Sequence, residues 1–395
     1  MLKGKNIILA VTGSIAAYKI ANLASMLMKQ QCKVTVMMTE NATNFIHPIT
    51  FETLTGNKCL IDTFDRNFQY SVEHVSLAKE TDMVLVAPAS ANVIAKMAHG
   101  IADDMLTTTI LACECKKLIA PTMNTHMYHN PIVQDNIEIL KKYGMEVILP
   151  DTGYLACGDI GEGKMPSEEI LFSYIMRSIA FEKDLIGKKV MVTAGPTREA
   201  IDPVRFISNH SSGKMGYEIA KACMLRGAMV TLITGPTRIP VPDFINIVPV
   251  VSAQDMFDAV KKNYEEQDII IKAAAVADYR PVCVSEEKMK KTGENMEICL
   301  EKTRDILQFL GEHRKGKQIL CGFSMETENM LENSRQKLSK KRVDMIVANN
   351  LKQAGAGFET DTNVVTLITK DKEISLPLMS KEGVAHAIID EILKL

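Results

Sequence analysis

The sequence predicts an α/β fold with two Rossmann-like, doubly wound domains. Short, continuously apolar segments alternate with segments whose apolar residues recur at helical spacing. This alternation restarts near Gly187, about halfway along the 395 residues. Strands that are buried on both faces read as continuous apolar runs, so the pattern is typical of parallel sheets covered by helices.

The apolar runs of the first half predict strands at residues 6–11, 34–38, 82–87, 117–120 and 146–149, with helices between them, as at 91–99 and 131–143. The second half predicts strands at residues 189–193, 229–233, 268–271, 319–323 and 344–347, a hairpin at 364–369 and 373–376, and a final helix at 381–393. We predict a first domain over residues 1–186 and a second over 187–395, with the helical stretch 167–182 and residues 183–187 as the linker. No repeat aligns the halves, which favours two different activities over a duplication.

The composition excludes several classes of protein. The 46 basic and 48 acidic side chains give a net charge of −2, so no overall electrostatic attraction to nucleic acid or anionic membranes is expected. No segment approaches the roughly 18 apolar residues of a membrane span, and the N-terminal residues do not resemble a secretory signal. The nine cysteines show no framework spacing, which predicts reduced thiols. We therefore expect a cytoplasmic protein that binds small molecules.

Two turns in the first half suit the binding of a phosphorylated ligand. Gly13 and Ser14 lie where the first predicted strand meets the first helix, and residues 87–92 form a second turn between another strand and helix. In a doubly wound sheet both turns fall at the carboxyl ends of strands, where helix N-termini bind anions. The first turn alone would equally fit a plain strand–turn–helix with a capping serine. Two such turns together favour the ligand.

Three further side chains of the first half are candidates for chemistry. His74 lies between apolar neighbours, a setting in which histidine is more often structural than catalytic. Asn124 follows a predicted strand and so lies at the same ligand edge, although an asparagine in a turn is ordinary. Cys157 lies in a glycine-rich loop that approaches the spacing of a P-loop. We reject a P-loop there, because a methionine and a proline stand where the Mg²⁺-binding hydroxyl and the helix start should be.

These segments together resemble the homo-oligomeric flavin-containing cysteine decarboxylases, and among them the phosphopantothenoylcysteine decarboxylases of coenzyme A biosynthesis. The resemblance rests on the Gly-Ser-Ile turn, the Pro-Ala-Ser-Ala-Asn turn, the Pro-x-Met-Asn-x-x-Met segment and the Cys-Gly-x-x-Gly-x-Gly-x-Met loop. It implies a flavodoxin-like domain in a homo-oligomer built on trimers. It also implies an FMN site formed by six residues: Gly13, Ser14, Ile15, Thr39, Ser90 and Asn92.

The same resemblance implies roles for the three candidate side chains. His74 would be the active-site base, Asn124 would bind the substrate carboxylate, and Cys157 would donate a proton from a flap over the substrate. In this family the motif around Asn124 usually ends in tryptophan, whereas this sequence has Tyr128 there. The resemblance therefore implies an aromatic wall with a different side chain.

In the second half, residues 202–216 are rich in small hydroxyl and amide side chains and predict a helix that starts at about Lys214. As plain structure this segment would be a surface loop. Arg205, Asn209 and a Ser-Ser-Gly turn at a helix N-terminus nevertheless suit the recognition of phosphate and carboxylate groups.

Other segments of the second half have weaker signals. Small residues at 273–275 end a predicted strand, so a ligand can approach the backbone there. Lys288 begins a basic run, a pattern that is usually only solvated surface. Lys337 and Lys341 are four apart on a predicted helix and so share one face.

This half resembles the phosphopantothenate–cysteine ligases, and the order of the halves resembles the bacterial family that fuses both activities. The resemblance implies that Arg205 and Asn209 bind phosphopantothenate and its activated acyl group, and that Lys288 is catalytic. It implies CTP as co-substrate, with Mg²⁺. The nucleotide would be bound by these residues: Ala273, Ala274, Ala275, Asp278, Lys288, Arg304, Asp305, Ile306, Leu307, Phe323, Lys337 and Lys341.

Two other functions fit parts of the sequence. An NAD(P)-dependent oxidoreductase is disfavoured, because the Gly-x-Gly-x-x-Gly fingerprint and an acidic ribose-binding residue are missing after the first turn. A non-catalytic flavoprotein that serves as a binding or regulatory subunit could keep Gly13 and Ser90. Such a protein would have no reason to keep His74, Asn124 and Cys157 together.

Overall fold

The computed structural model describes residues 1–63, 73–156, 158–290, 296–326, 329–350, 357 and 360–395. They form two compact units, Met1–Phe181 and Glu182–Leu395. Each unit has a largely parallel sheet with helices, which confirms the α/β fold class predicted from the alternating segments.

The first unit is built on a parallel sheet with the strand order β2-β1-β3-β4-β5. Its strands are β1 (Asn6–Val11), β2 (Lys33–Met38), β3 (Met83–Ala89), β4 (Lys116–Pro121) and β5 (Glu146–Val147). An antiparallel pair follows, β6 (Asp151–Tyr154) and β7 (Ile160–Lys164). The helices are α1 (Ala17–Lys29), α2 (Pro48–Thr55), α3 (Glu73–Glu80), α4 (Ala91–His99), α5 (Met105–Ala112), α6 (Thr125–Tyr128), α7 (Pro131–Lys142) and α8 (Glu168–Ile179), with a 3₁₀ turn at Glu40–Asn44.

Strand β1 shows why the apolar runs are continuous. Ile7, Leu9 and Val11 pack on one face of the sheet in a core that includes residues of α1 and α8. Ile8 and Ala10 pack on the other face with residues of α4, α5 and α7. Because helices cover both faces, every position from Ile7 to Val11 is apolar rather than every second one.

The strand order also fixes where a ligand can bind. From β1 the chain leads to β2 on one side, and β3 lies on the other side of β1. In open parallel sheets a crevice opens at such a reversal, outside the carboxyl ends of the two strands. In the first unit this crevice lies at the ends of β1 and β3.

The second unit has a larger sheet with the order β12-β11-β8-β13-β16-β17-β19-β20. The strands from β12 to β17 are parallel, and β19 and β20 are antiparallel and form the predicted hairpin. The sheet strands are β8 (Lys189–Ala194), β11 (Met229–Thr234), β12 (Asn246–Pro249), β13 (Ile269–Lys272), β16 (Ile319–Glu326), β17 (Met345–Asn350), β19 (Val365–Thr369) and β20 (Glu373–Ser375). The order reverses between β8 and β13, so the corresponding crevice lies there.

Short antiparallel pairs and helices complete this unit. The pairs are β9 (Arg198–Ala200) with β10 (Phe206–Ser208), β14 (Tyr279–Pro281) with β15 (Leu300–Lys302), and β18 (Thr362–Asn363) with β21 (Met379–Ser380). The helices are α9 (Lys214–Leu225), α10 (Ala253–Asn263), α11 (Ile306–His313), α12 (Met330–Lys340) and α13 (Lys381–Ile392), with a 3₁₀ turn at Tyr264–Glu266.

The predicted linker helix is wrong. Helix α8 belongs to the first unit, because Leu171 and Ile175 are fully buried in its core. The residues that follow belong to the second unit. Leu185 is buried, and Asp184 pairs with the nearly buried guanidinium of Arg226, whose hydrogen bonds hold the pKa of that carboxyl below its ordinary value. The compact units of the structure divide between Phe181 and Glu182, five residues before the end of the predicted first domain.

Within the described ranges, none of the helices is both long enough and apolar enough to cross a membrane.

Separate expression of residues 1–181 and 182–395 is expected to yield two folded proteins, because each unit has its own sheet and core. A fragment that starts at residue 187 is the matched comparison, since it loses Asp184 and Leu185. Its free energy of unfolding should be lower by about 2 kcal/mol or more, because burial of one leucine side chain contributes about 1.5–3 kcal/mol. Thermal and urea unfolding followed by circular dichroism measure this difference. Equal stability of the fragments that start at 182 and 187 would contradict the division.

Candidate active sites

A buried threonine holds the two ligand-edge turns of the first unit together. Thr12 directly follows β1 and is fully buried. Its hydroxyl donates to the Pro88 carbonyl at 2.7 Å and accepts from the Ser90 backbone N–H at 2.9 Å. The turns after β1 and β3 are therefore fixed relative to each other across the point where the strand order reverses.

The predicted turn residues Gly13, Ser14 and Ser90 lie at this edge. A Cβ on Gly13 would lie 2.9 Å from the Cβ of Asn41, so only glycine allows the 3₁₀ turn after β2 to approach this closely. The Ser14 hydroxyl accepts from the Ala16 backbone N–H at 3.3 Å. Ser90 caps α4 by accepting from the Val93 N–H at 3.4 Å. Both turns thus lead into helix N-termini, which attract anions.

Thr39 has a buried hydroxyl that forms no hydrogen bond within the part of the chain that is described. Its backbone N–H donates to the Val11 carbonyl at 3.1 Å, so the residue lies beside the turn that follows β1. A buried hydroxyl without a partner destabilises the folded state unless a bound group completes it. Thr39 therefore fits the edge of a ligand site.

A cavity of about 390 Å³ opens at this edge of the first unit. It brings Ser14 and Ile15, from the first turn, together with Asn124, which follows β4. The remaining lining comes from the start of α1, the β4–α6 turn and the β6–β7 hairpin: Ala16, Tyr18, Lys19, Thr122, Met123, Tyr154, Leu155, Ala156, Gly163, Lys164 and Met165.

The other predicted residues of the first unit do not line this cavity. Gly13, Thr39 and Ser90 lie behind it at the same edge of the sheet. Asn92 is exposed in the first turn of α4, and His74 is half-buried in the first turn of α3. Cys157 lies outside the described residues.

The β6–β7 hairpin is hydrogen-bonded to the turn that carries Asn124. The Met123 backbone N–H donates to the Gly163 carbonyl at 3.0 Å, and the Thr125 hydroxyl donates to the Glu162 carbonyl at 2.8 Å. The Asn124 amide donates to a carboxylate oxygen of Asp159 at 3.1 Å. These contacts hold Asn124 under the hairpin with its amide N–H toward a carboxylate.

Tyr128 does not form the wall that the motif implies. It is buried in the core on one face of the sheet, where it packs edge-on to His129 at a centroid distance of 5.4 Å. Burial raises the pKa of its phenol. Tyr128 therefore stabilises the helix next to Asn124 and does not line the cavity.

In the second unit, too, a buried threonine holds two segments together at the ligand edge of the sheet. Thr193, near the end of β8, is fully buried, and its hydroxyl accepts from the Ala274 backbone N–H at 3.2 Å. Its carbonyl accepts from the Ala273 N–H at 3.2 Å, and the Gly195 carbonyl accepts from the Ala275 N–H at 3.0 Å. The ends of β8 and β13 are thereby tied together at the second reversal of strand order.

A cavity of about 340 Å³ lies at this second edge. It brings together seven of the predicted substrate- and nucleotide-binding residues: Asn209, Ala273, Ala274, Ala275, Asp278, Phe323 and Lys337. The Asn209 amide donates to the Ala275 carbonyl at 3.0 Å, and the Lys337 ammonium donates to the Phe323 carbonyl at 3.0 Å. A larger neighbouring cavity of about 910 Å³ shares five lining residues with it: Asn209, Ser211, Ser212, Lys214 and Lys381.

The remaining predicted residues of the second unit do not line the 340 Å³ cavity. Ile306 and Leu307 are buried in α11, and Arg304 stacks on a phenylalanine ring at 5.1 Å. Lys341 pairs with Asp305 at 2.7 Å, and neither residue lines the cavity.

Asp202 connects the segments of Arg205 and Lys288, the last two predicted residues. Asp202 was not identified from the sequence. Its buried carboxylate accepts from the backbone N–H groups of Val204, Arg205 and Met289, at 2.8, 2.7 and 3.2 Å. Desolvation opposes ionisation, but these hydrogen bonds hold the pKa of Asp202 below its ordinary value. The loop with Arg205 is thus joined to the segment with the exposed Lys288.

Lys272 was also missed and lines the 340 Å³ cavity at the end of β13. A signal was present in the sequence, because a single lysine follows Ile269, Ile270 and Ile271 in a strand that is otherwise apolar. A cation at the inner end of a buried strand indicates an anionic or polar partner.

Gly163→Ala is expected to detach the hairpin from the Asn124 turn. Gly163 has a φ of +127°, and a Cβ there would lie 2.1 Å from the Met123 carbonyl oxygen. The strain should lower the free energy of unfolding by about 1–3 kcal/mol and speed hydrogen exchange at the Met123 amide. Gly153→Ala in the same hairpin is the control, because its Cβ would make an ordinary 3.4 Å contact. Equal effects of the two substitutions would contradict this packing.

Both units of the chain match known protein families. Residues 1–180 match the family model described as Flavoprotein, and residues 185–395 match the model described as DNA/pantothenate metabolism flavoprotein C-terminal domain. The crystal structure of the C-terminal domain of a coenzyme A biosynthesis bifunctional protein CoaBC is 46% identical, with a TM-score of 0.46 over 53% of this chain and 96% of that one.

Two curated relatives span the full length. The coenzyme A biosynthesis bifunctional protein CoaBC of Bacillus subtilis (strain 168) is 47% identical over 99% of this chain and 97% of the relative. The protein of the same name from Escherichia coli (strain K12) is 40% identical over 99% of this chain and 97% of the relative. The chain therefore belongs to the family of coenzyme A biosynthesis bifunctional proteins CoaBC.

Proposed function

We propose that this chain catalyses two consecutive steps of coenzyme A biosynthesis. The second unit ligates cysteine to 4′-phosphopantothenate with CTP, through an acyl-cytidylate. The first unit then decarboxylates 4′-phosphopantothenoylcysteine to 4′-phosphopantetheine with FMN. The observation that carries the proposal is the full-length match to bifunctional relatives, in a chain whose two units each have a cavity at the point where strand order reverses.

The first unit fits a flavin. The family model for this unit is a flavoprotein, and the partnerless Thr39 hydroxyl and two helix N-termini offer a donor and an anion site at one edge. We assign the FMN site to Gly13, Ser14, Ile15, Thr39, Ser90 and Asn92. When bound, the flavin supplies a reversible oxidation of the substrate thiol, which makes loss of CO₂ feasible.

Asn124 is suited to bind the substrate carboxylate. Its amide donates to the carboxylate of Asp159 at 3.1 Å, which supports the proposal that the same N–H binds a substrate carboxylate. Substrate binding would then exchange one carboxylate for another at the Asn124 amide, while the hydrogen bonds of Met123 and Thr125 keep the hairpin in place. Cys157, which follows β6 in sequence, is the proposed proton donor.

His74, the proposed base, does not line the cavity of its own unit. To act there it must reach the substrate from another copy of the chain. The proposed homo-oligomer, built on trimers of the decarboxylase domain, provides such a copy.

The second unit fits a nucleotide and an acid. Ala273, Ala274 and Ala275 line the cavity with small side chains that let a ligand approach closely, while Asn209 lines the same space. The segment with Lys288 and the loop with Arg205 meet at Asp202, which supports the proposal that both act on the same acyl substrate. Among the described residues, no cluster of three metal-ligating side chains is present. Mg²⁺ commonly binds through substrate phosphates and water, and we propose that it enters with CTP.

The oxidoreductase and the non-catalytic binding subunit account for fewer features of the chain than the two-step function does. An NAD(P)-dependent oxidoreductase has no use for a ligase-family second unit, and a binding subunit has no use for two cavities with reactive side chains.

Incubation of the full chain with 4′-phosphopantothenate, cysteine, CTP, Mg²⁺ and FMN tests the proposal. Mass spectrometry should detect 4′-phosphopantetheine and released CO₂. Accumulation of 4′-phosphopantothenoylcysteine without CO₂ release would contradict the assignment of the first unit. No condensation product at all would contradict the assignment of the second.

Lys288→Gln is expected to remove the first ligase half-reaction and leave decarboxylation unchanged. Nucleotidyl transfer builds negative charge as pyrophosphate leaves, and loss of one such donor lowers the rate by roughly 10²–10³. Pyrophosphate release with phosphopantothenate and CTP, before cysteine is added, measures the effect. Lys290→Gln is the control, because it lies in the same basic run. Similar modest losses in both variants would mean that the run acts only as a patch of charge.

Thr39→Val should weaken FMN binding without destabilising the flavin-free protein, because the Thr39 hydroxyl has no described partner to lose. Thr12→Val is the contrast. It deprives the Pro88 carbonyl and the Ser90 N–H of their partner, so the free energy of unfolding should fall by about 1–3 kcal/mol. Flavin fluorescence titration and urea unfolding separate the two effects. A loss of flavin-free stability in Thr39→Val as large as that in Thr12→Val would overturn this distinction.

A further inference from the structure

Lys272 is a charged side chain whose use the proposed function does not yet explain. It ends β13, which lies in the middle of the larger sheet between β8 and β16. The residue is half-buried and lines the 340 Å³ cavity beside Ala273. Its ammonium group forms no salt bridge or hydrogen bond within the described ranges.

The charges around Lys272 compensate its ammonium group only in part. Lys337 of α12 is a second cation that repels the Lys272 ammonium. Asp278 and Asp305 attract it, although neither forms a salt bridge with it. Asp305 is already occupied, because it pairs with Lys341 at 2.7 Å and accepts from the Gln308 backbone N–H at 2.8 Å. Burial and the repulsion by Lys337 lower the pKa of Lys272 to about 8.

An ammonium held this way is costly in the empty protein. Desolvation of a cation is recovered only when an anion or a set of oxygen acceptors is supplied. Asp278 lines the cavity but forms no salt bridge with Lys272, and the small residues Ala273, Ala274 and Ala275 leave room there for a ligand. The missing partner is therefore a ligand rich in oxygen acceptors.

We propose that Lys272 is a nucleotide-binding residue whose ammonium donates to an acceptor oxygen of CTP and must be protonated for tight binding. This inference rests on the proposed ligase function and adds a contact and a pH dependence to it. No bond is made or broken by Lys272; its contribution is to affinity.

The sign of the pH dependence follows from the charges. A bound anionic nucleotide favours the ammonium form, so binding raises the pKa of Lys272 and takes up a proton near pH 8. Below this pH the group is already charged and affinity is constant. Above it, each binding event must first protonate Lys272, so the dissociation constant of CTP rises by roughly 10-fold or more between about pH 7.5 and 9.5.

Calorimetric titration of the full chain with CTP and Mg²⁺, without the other substrates, tests this. Lys272→Met keeps the side-chain stem and should weaken CTP binding about 10-fold at pH 7.5, with no rise toward pH 9.5. Lys272→Arg should bind tightly at both pH values, because a guanidinium stays charged. Titration in two buffers of different ionisation enthalpy should show proton uptake near pH 8 in the native chain and none in either variant.

A structural role for Lys272 predicts a lower melting temperature in Lys272→Met, whereas the proposed binding role predicts a higher one. Removal of a partly compensated charge should raise the melting temperature of the nucleotide-free protein, so Lys272→Met should be more heat-stable as well as weaker in binding. Lys317→Met, an exposed lysine before β16, should keep the native affinity and pH profile.

If the native chain binds CTP and Lys272→Met binds it equally well, or if Lys272→Arg keeps the alkaline rise, the role of Lys272 is wrong and the proposed function stands. A lower melting temperature in Lys272→Met would also overturn it. If the native chain binds no CTP, the proposed nucleotide site fails, and the inference fails with it.

Discussion

In both units a buried threonine hydroxyl ties together the turns on which the site depends. Thr12 joins the turn after β1 to the turn after β3, and Thr193 joins the end of β8 to the segment after β13. Parallel sheets leave a crevice at each reversal of strand order, but the crevice alone does not fix the backbone that lines it. The hydroxyls satisfy buried backbone groups that would otherwise lack partners, and this holds two separate loops at one edge of the sheet, where a single ligand can contact both.

From this constraint the composition of the turns follows. The backbone must approach closely at both edges, which explains glycine at position 13 against Asn41, and glycine at 213 against Gly195. It also explains the run of alanines at 273–275, where the backbone itself faces the cavity. Polar side chains then enter from neighbouring loops, each held by its own hydrogen bonds, as Asn124 is by Asp159 and Asn209 by the Ala275 carbonyl. The two units thus share the same arrangement of turns at the reversal of strand order and differ in the side chains around it.

Much of the fold could be predicted because β1 and similar strands are covered on both faces, which makes local composition decisive. The prediction failed where long-range packing decides. Residues 167–182 look like a linker helix by sequence, yet Leu171 and Ile175 complete the first core. The strand predicted at 146–149 is only Glu146–Val147, since it lies at the sheet edge with one neighbour. Turn residues were found from motifs, whereas Thr12 and Asp202 were not, because their partners lie 76 and 87 residues away.

The measurement that most directly tests this account is a crystal structure of the full chain with FMN and CTP bound. The account predicts FMN at the carboxyl ends of β1 and β3, with the Thr39 hydroxyl hydrogen-bonded to it. It predicts CTP in the cavity between the ends of β8 and β13, in contact with the alanine run at 273–275. Either ligand bound elsewhere on its sheet, with the threonine-tied turns empty, would contradict the account.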